Sequence, residues 1–447
     1  MSPTSRFLNH SPRPSRGTRL HQPVVPSGSS AKENIMEVMH ERAAGMDISK
    51  RDAKVCIRVP GARAGTFNKA VTTYGATTNE IRRLRHDLEA AGVTVVVMEA
   101  TGDYWKPFFF LLEETLNVEL VNAKQAKNIP GRKTDVSDAV WLAELAAHGL
   151  LRASFVPPEE IRQLRDLTRL RSHLTHERTR EYARLEKGLE DSNIKLSSVA
   201  SHLGTQSARR ILDALVAGER DPRILAALAH ASMIKKSAAL VEALTGRFTN
   251  HHAFMVRLHL ERIDQIGQTL SDVDAQIDEV MKPFQLAREL LMTIPGISKN
   301  VANVLIAETG VDMSVFATAG HLASWAGVCP GQNESAGHIK SSHTRPGNAY
   351  VKAALGIAAM SASRSKTTYL AVKYRRIQSH AGAMRAVVAL EHTLLVIAWH
   401  MLKQGVAYEE LGIDHYDKTN PQRARQRLLR RMQSLGFQPI LTPIPTG

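Results

Sequence analysis

Apolar and polar positions recur in three different rhythms along this chain. From Ala43 they form short runs broken by polar turns. AGMDISKRDAKVCIRVP reads as strand, turn, strand. TTNEIRRLRHDLEAAG predicts a helix, with Thr78 as N-cap and Gly92 as terminator. VTVVVMEATG is a continuous β-branched run, the pattern of a strand buried on both faces. PFFFLLEETL predicts a helix, VELVNA a short strand, and KTDVSDAVWLAELAAHG a further helix. Strands alternating with helices predict an α/β layer with a partly parallel sheet.

The second rhythm is helical and heavily charged. Leu164, Leu167, Leu170 and Leu174 recur at three and four residues, one face of a long helix. Phe254 to Val280 repeats that spacing through Leu258, Ile263, Ile266, Leu270, Val273 and Ile277. The pair predicts a coiled-coil or helical-hairpin arm, able to dimerise the protein. The third rhythm begins at Leu290. LLMTIPGISKNVANVLIAETG predicts two short helices around a PGI turn, a helix-hairpin-helix-like element or an ordinary αα-hairpin. After a loop, PGQNESAGHIKSSHTRPGN, come two apolar helices, AYVKAALGIAAMSASRS and AVVALEHTLLVIAWHMLK. These changes of texture divide the chain into a Pro/Ser-rich basic tail expected to be disordered (1–42), an α/β domain (43–156), a helical arm (157–289), a mostly α C-terminal domain (290–412) and a basic tail (413–447).

Charge then narrows the class. Lys and Arg number 58 against 43 Asp and Glu, a formal net charge of +15. Such a balance points to a polyanion partner, above all nucleic acid. Arg423, Arg425, Arg427, Arg430 and Arg431 near the end form either a nucleic-acid-touching helix or a solvated tail. The longest apolar run, Thr393 to Leu402, falls short of the roughly 20 residues of a membrane helix. The N-terminus lacks the apolar core of a signal peptide. Cys56 and Cys329 are the only cysteines and lie far apart, so no disulfide framework or cysteine zinc site is expected. These features predict a reduced, cytoplasmic protein. No GxxxxGK[ST], GxGxxG or HExxH is present.

The candidate chemistry sits at both ends. Asp47 lies in the first predicted strand and Glu99 at the C-terminal end of VTVVVM, where open α/β sheets form sites. Asp135 and Asp138 are three apart on one predicted helix and face the same way. Singly, each acid also suits a helix cap or a solvated charge, and Thr134 or Asp135 fits an N-cap. Together, four carboxylates repel one another unless a hard cation such as Mg²⁺ binds them. Two such ions about 3.5–4 Å apart clamp both attacking and leaving oxygens of a phosphodiester. At the other end, Ser335 lies in the Gly- and Ser-rich loop with Glu334, His338 and Lys340 nearby, and no Ser-His-Asp set can be read. A serine hydroxyl needs a base or a metal to become a nucleophile. On chemistry alone Ser341 and Ser342 are equal candidates. In the PGI element, backbone N–H groups with Lys299 suit a phosphate.

With these residues in view, the chain resembles a known family. AGMDISK, VVMEATGDYW and NAKQAKNIPGRKTDVSDAVWLAELAAHGLL resemble the RuvC-like DEDD domain of bacterial insertion-sequence transposases. LMTIPGISKNVANVLIAETG and SWAGVCPGQNESAGHIKSSHTRPGNAYVKAAL resemble the C-terminal transposase domain of that family, the bridge-RNA-guided recombinases. The resemblance covers residues 43 to 412 and implies an RNase H-like fold for the first domain. It implies Asp47, Glu99, Asp135 and Asp138 as ligands of Mg²⁺, two ions, with Mn²⁺ as an alternative. It implies Ser335 as a nucleophile that forms a transient phosphoserine link to DNA. It further implies a structured guide RNA pairing with donor and target DNA, and a homo-oligomer, dimer or tetramer, with active sites shared between subunits. Lys352, His343 and Pro346 depart from the family's usual Arg, Gly and Lys. Lys124, Lys127, Arg132, Lys133, Lys299, Lys340, Arg345 and Lys352 are candidate nucleic-acid contacts, or solvated surface. Two other readings stay open: a RuvC-like nuclease using water, which needs no Ser335, and a non-enzymatic basic coiled-coil protein holding RNA or DNA.

Overall fold

The structure is a computed structural model describing residues 38–438, apart from 101, 123–125, 127, 128, 130–136, 332 and 342. The chain separates into two units, Met1–Phe155 and Val156–Gly447.

In the first unit, β1 (Ala43–Ile48), β2 (Asp52–Pro60) and β3 (Phe67–Gly75) form an antiparallel meander. Helix α1 (Thr78–Ala90) leads to β4 (Val95–Glu99), α2 (Trp105–Leu112), β5 (Val118–Val121) and α3 (Asp138–Ala147). The sheet order is β3-β2-β1-β4-β5, with β1, β4 and β5 parallel. The alternating pattern is thus realised as a mixed α/β sheet. Strand β3 is an addition to the expected elements. It is a largely exposed edge strand, so its residues carry no apolar alternation to read. The cap of α1 is Thr77 rather than Thr78, and its side chain makes no cap hydrogen bond.

Burial explains the centre of this sheet. Val95, Val96, Val97 and Met98 of β4 are all buried, as are Ala43, Ala44 and Met46 of β1. Helix α3 packs on β1 across Gly45. A Cβ at Gly45 would lie 2.3 Å from the carbonyl oxygen of Ala139 and the amide of Ala143. Only glycine permits this approach. The Glu144 carboxylate on α3 then reaches buried Arg58 (Nε–Oε2 3.4 Å) and Lys69 (Nζ–Oε1 2.5 Å), which pins the helix to β2 and β3.

The second unit is predominantly helical. Helix α4 (Glu159–Asp191) runs out to a tip of short helices, α5 (Leu196–Val199), α6 (Gln206–Ala217), α7 (Pro222–Ala227) and α8 (Ser237–Ala243). Helix α9 (Asn250–Val280) returns antiparallel to α4. Three pairs track the return: Arg171 Nε–Asp274 Oδ1 (2.5 Å), His259 Nδ1–Glu181 Oε2 (3.0 Å) and His252 Nε2–Asp191 Oδ2 (3.0 Å). On α9 the expected stripe is buried through Ile263, Ile266, Leu270, Val273 and Ile277, but Leu260 replaces Leu258, which is exposed. On α4 the buried stripe begins at Ile161, a turn before Leu164, and Leu170 faces solvent. The arm's far end has its own core, in which Leu185 and Leu189 meet Ile211, Leu212, Leu215 and Leu225. That tip makes the arm more than a spacer.

After α9 come α10 (Gln285–Met292), α11 (Lys299–Thr309), α12 (Ala319–Ala326) and a hairpin of β6 (Asn333–Ser335) and β7 (His338–Ser341). The expected loop thus contains a two-stranded sheet. Then follow α13 (Ala349–Ser363), α14 (Tyr369–Ala381), α15 (Ala383–Gln404), α16 (His415–Thr419) and α17 (Pro421–Ser434). As a whole helix α15 exceeds the run seen in the sequence and is long and apolar enough to cross a membrane. It also packs on α12, α13 and α14, with Leu390, Leu394 and Leu395 buried, the pattern of a core helix.

Candidate functional site

Each unit carries its own set of reactive side chains. In the first, β1 and β4 pair in parallel register, Gly45 with Val97 and Met46 with Met98. Side chains alternate across a strand, so Asp47 and Glu99 stand on the same face as Gly45 and Val97. That is the face α3 covers: Ala139 and Ala143 meet Cys56, the strand partner of Gly45. Asp138 opens α3, with Ser137 as N-cap accepting from the Val140 amide (3.4 Å). The cap is therefore Ser137, not Thr134 or Asp135. Asp47, Glu99 and Asp138 are all half-buried. Two strand ends and one helix start thus bring three acids to one side of the sheet. The fourth, Asp135, lies outside the described residues, as do Lys124, Lys127, Arg132 and Lys133.

Among the described residues, no group of three His, Cys, Asp or Glu side chains is placed to hold a metal ion. The donors that are present are carboxylates, the oxygen ligands that hard divalent cations take. Asp47 and Glu99 share one face of the sheet, and Asp138 opens the helix that covers that face. By donor chemistry the residues fit Mg²⁺ or Mn²⁺.

In the second unit, Ser335 ends β6 and His338 opens β7, and the two pair directly across the hairpin. Between them, Ala336 (φ 52°) and Gly337 (φ 78°) make a two-residue turn with both residues in the left-handed region. This geometry matches strand twist and favours glycine, so Ala336 carries strain of about 1 kcal/mol. Ser335, His338 and Lys340 are exposed and share one face of the hairpin. The root is closed by a bridge between Pro330 and Thr344 and by the Gly331 amide donating to the His343 carbonyl (3.0 Å). The Lys352 ammonium donates to Thr344 Oγ1 (2.9 Å), so this candidate phosphate contact is tied to the hairpin base. Arg345 is exposed just beyond it. Ser341 caps a local turn, accepting from the His343 amide (3.2 Å), whereas Ser342 lies outside the described residues. Lys299 is engaged with Asp278 (2.6 Å) at the start of α11.

One cluster that the sequence reading passed over fixes the chain just after the hairpin. Glu308 of α11 is fully buried and receives both prongs of Arg169 (2.7 and 2.9 Å). Arg165 also approaches it (3.3 Å) and donates to the main-chain oxygens of Ala307 and Glu308. Burial pulls the Arg165 pKa down, and the Glu308 charge opposes that pull. The same carboxylate accepts from Asn348 Nδ2 (2.7 Å). Asn348 Oδ1 in turn caps α13, accepting from the Tyr350 and Val351 amides (3.0 Å each). A bidentate Arg–carboxylate pair is the strong form of ion pair. The available signals were a lone acid in the apolar helix VLIAETG, arginines four apart on α4, and an asparagine before AYVKAAL.

Comparison with known proteins now bears on both sets. Residues 44–194 match the family model DEDD_Tnp_IS110, described as a transposase. Residues 288–375 match the transposase IS116/IS110/IS902 family. The chain is similar to the "Insertion element IS110 uncharacterized 43.6 kDa protein" of Streptomyces coelicolor, 31% identical over 141 residues. That match covers 31% of this chain and 34% of the relative, so the chain spans about a third of that protein's length. It is also similar to the "Insertion element IS900 uncharacterized 42 kDa protein" of Mycobacterium paratuberculosis, 28% identical over 306 residues, 62% of this chain and 73% of the relative. The two matched segments hold both reactive sets: 44–194 contains Asp47, Glu99 and Asp138, and 288–375 contains Ser335.

Proposed function

We propose that this protein is the DNA-cutting and rejoining transposase of an insertion element, and that it works through a covalent phosphoserine. The observation that carries this reading is the presence, in two transposase-matched domains, of two complementary reactive sets. One is an acid set at strand ends on the face covered by α3. The other is an exposed serine on a two-residue turn. In this reading the first unit is an RNase H-like domain.

Ser335 Oγ attacks a scissile phosphate, and the freed DNA hydroxyl leaves. Attack by a second hydroxyl on the phosphoserine rejoins the strand and restores the serine. The phosphodiester count is conserved, so no ATP is needed, in keeping with a chain that has no P-loop motif. Asp47, Glu99, Asp138 and Asp135 would hold Mg²⁺, which supplies charge stabilisation at a phosphate oxygen and lowers the proton affinity of a bound hydroxyl. Exposed Lys340, on the serine's face of the hairpin, supplies positive charge near it, and exposed Arg345 supplies it at the hairpin root. In the same reading a structured guide RNA pairs with donor and target DNA while the protein holds backbone and A-form shape. The working form is a homo-oligomer.

The test is a covalent trap. Wild-type protein with element-end DNA and Mg²⁺ is expected to give an adduct that survives denaturing gels and maps to Ser335. Ser335→Ala removes it and lowers strand exchange on the order of 10³-fold or more. Full cleavage by Ser335→Ala would instead point to water as the nucleophile. Retained activity in EDTA would overturn the metal assignment.

A further inference from the structure

Beside the hairpin root lies a cavity of about 930 Å³ within the second unit. One wall is apolar, formed by Ile377 of α14 with Val388 and Ala389 of α15. Lys373 and Arg385 also line it, and among the described residues no carboxylate does. Met384, 78% exposed, stands at its edge. His392 faces it from α15, and burial, helped by the Lys373 charge, pushes that imidazole below its ordinary pKa. A neutral imidazole offers one donor and one acceptor. The remaining side belongs to the hairpin, since Pro330 and Thr344, the pair that closes its root, both line the space.

These features describe a ligand with one flat apolar surface, an anionic group and polar edges. The volume lies within the range of small-molecule sites. We propose that the cavity is a nucleotide subsite that takes one unpaired nucleotide of the DNA strand on which Ser335 acts. The base lies against Ile377, Val388 and Ala389, its edge meets His392, and its phosphate sits on Lys373 and Arg385. Bases taken out of a stack are held in this way, between apolar side chains with hydrogen bonds to their edges. The five residues from Pro330 to Ser335 reach at most about 16 Å when extended. The subsite therefore lies at most about five nucleotides from the cut at B-form spacing, and fewer along a stretched strand. Only this distance rests on the Ser335 reading.

The full-length chain in the Ser335→Ala background, which keeps binding apart from cleavage, is titrated with a labelled 12-nucleotide single strand and a duplex of equal length. Ala389 is partly exposed to the cavity, so Ala389→Trp fills the space and leaves the charges in place. It is expected to weaken single-strand binding tenfold or more and to leave duplex binding unchanged. Unchanged single-strand binding overturns the proposal, as does equal loss for strand and duplex. The double variant Lys373→Gln, Arg385→Gln keeps the test decisive if the tryptophan disturbs folding. It is expected to weaken single-strand binding and flatten its log–log salt slope by about 0.7, and an unchanged slope overturns the phosphate assignment. Loss of the Ser335 adduct in otherwise wild-type protein tests the nucleophile separately.

Discussion

Asp47 and Glu99 are held from below, by strands whose neighbours Met46, Ile48, Val97 and Met98 are buried. Ser335 is held from the side, by a two-residue turn in solvent and a root closed at Pro330 and Thr344. Packing fixes the acids: to move Asp47 is to move β1 against both β2 and β4. Turn chemistry fixes the serine, and the described side chains from Ser335 to His338, with Lys340, are exposed. Groups that gather charge around a cation gain from a rigid floor. A nucleophile that must reach a phosphate and later release it gains from display.

The contrast can be broken or sharpened by experiment. After Ser335→Ala, the largest expected effect is that of Asp47→Asn, which should lower Mg²⁺-dependent cleavage by on the order of 10²-fold or more while the melting temperature stays within a few degrees. A large loss of stability would mean that Asp47 belongs to the floor and not to the site. Next comes Gly45→Val. Its side chain collides with α3 backbone, so a cost of about 3 kcal/mol is expected, read from urea unfolding, together with lost cleavage. A valine placed at the turn should act differently. Ala336→Val should cost about 1–2 kcal/mol and slow adduct formation, whereas Ala336→Gly should be neutral or slightly stabilising, because glycine accepts φ 52° without strain.

The smallest effect belongs to neither region and serves as a control. Asp278 bonds Lys299 (2.6 Å) and Arg288 (2.7 Å), and the Lys299 bond above all holds its carboxyl below the ordinary 3.8. A depressed acid stabilises the fold at pH above its unfolded value and loses that contribution as pH falls through the folded one. Asp278→Asn should therefore cost a few tenths of a kcal/mol at neutral pH, since the pair is partly exposed, and the gap from wild type should close in acid below 3.8. Thermal melts across that range measure it.

Elements with a strong internal rhythm were legible in the sequence. β4 is almost wholly β-branched and buried, and α9 carries a long apolar stripe. β3 was not legible, because an exposed edge strand takes its shape from its neighbour's free hydrogen-bonding groups rather than from an apolar pattern. The hairpin was hidden for a related reason: Ser-Ala-Gly-His reads as loop, and the turn puts an alanine where glycine or asparagine is usual. For the acids, the sequence offered four carboxylates from three elements as one set, and the strand register puts two of them, Asp47 and Glu99, on one face of the sheet. Asp138 opens the helix that crosses β1 at Gly45, a tertiary contact that no local pattern announces. Glu308 was missed because its partners, Arg165 and Arg169, lie some 140 positions earlier in the chain.

That buried carboxylate makes α4 a lever with a fulcrum. Arg165 and Arg169 grip near one end of the helix, while Leu185 and Leu189 anchor the tip core near the other. From Arg169 to Leu185 is about 24 Å at helical rise, so a tilt of about 10° at the grip swings the tip by about 4 Å. Asn348 shares that grip, so the piece of chain that leaves the serine hairpin is bolted to the pivot. A load on the tip that tilted α4 would therefore reach the residue that caps α13, thirteen positions after Ser335.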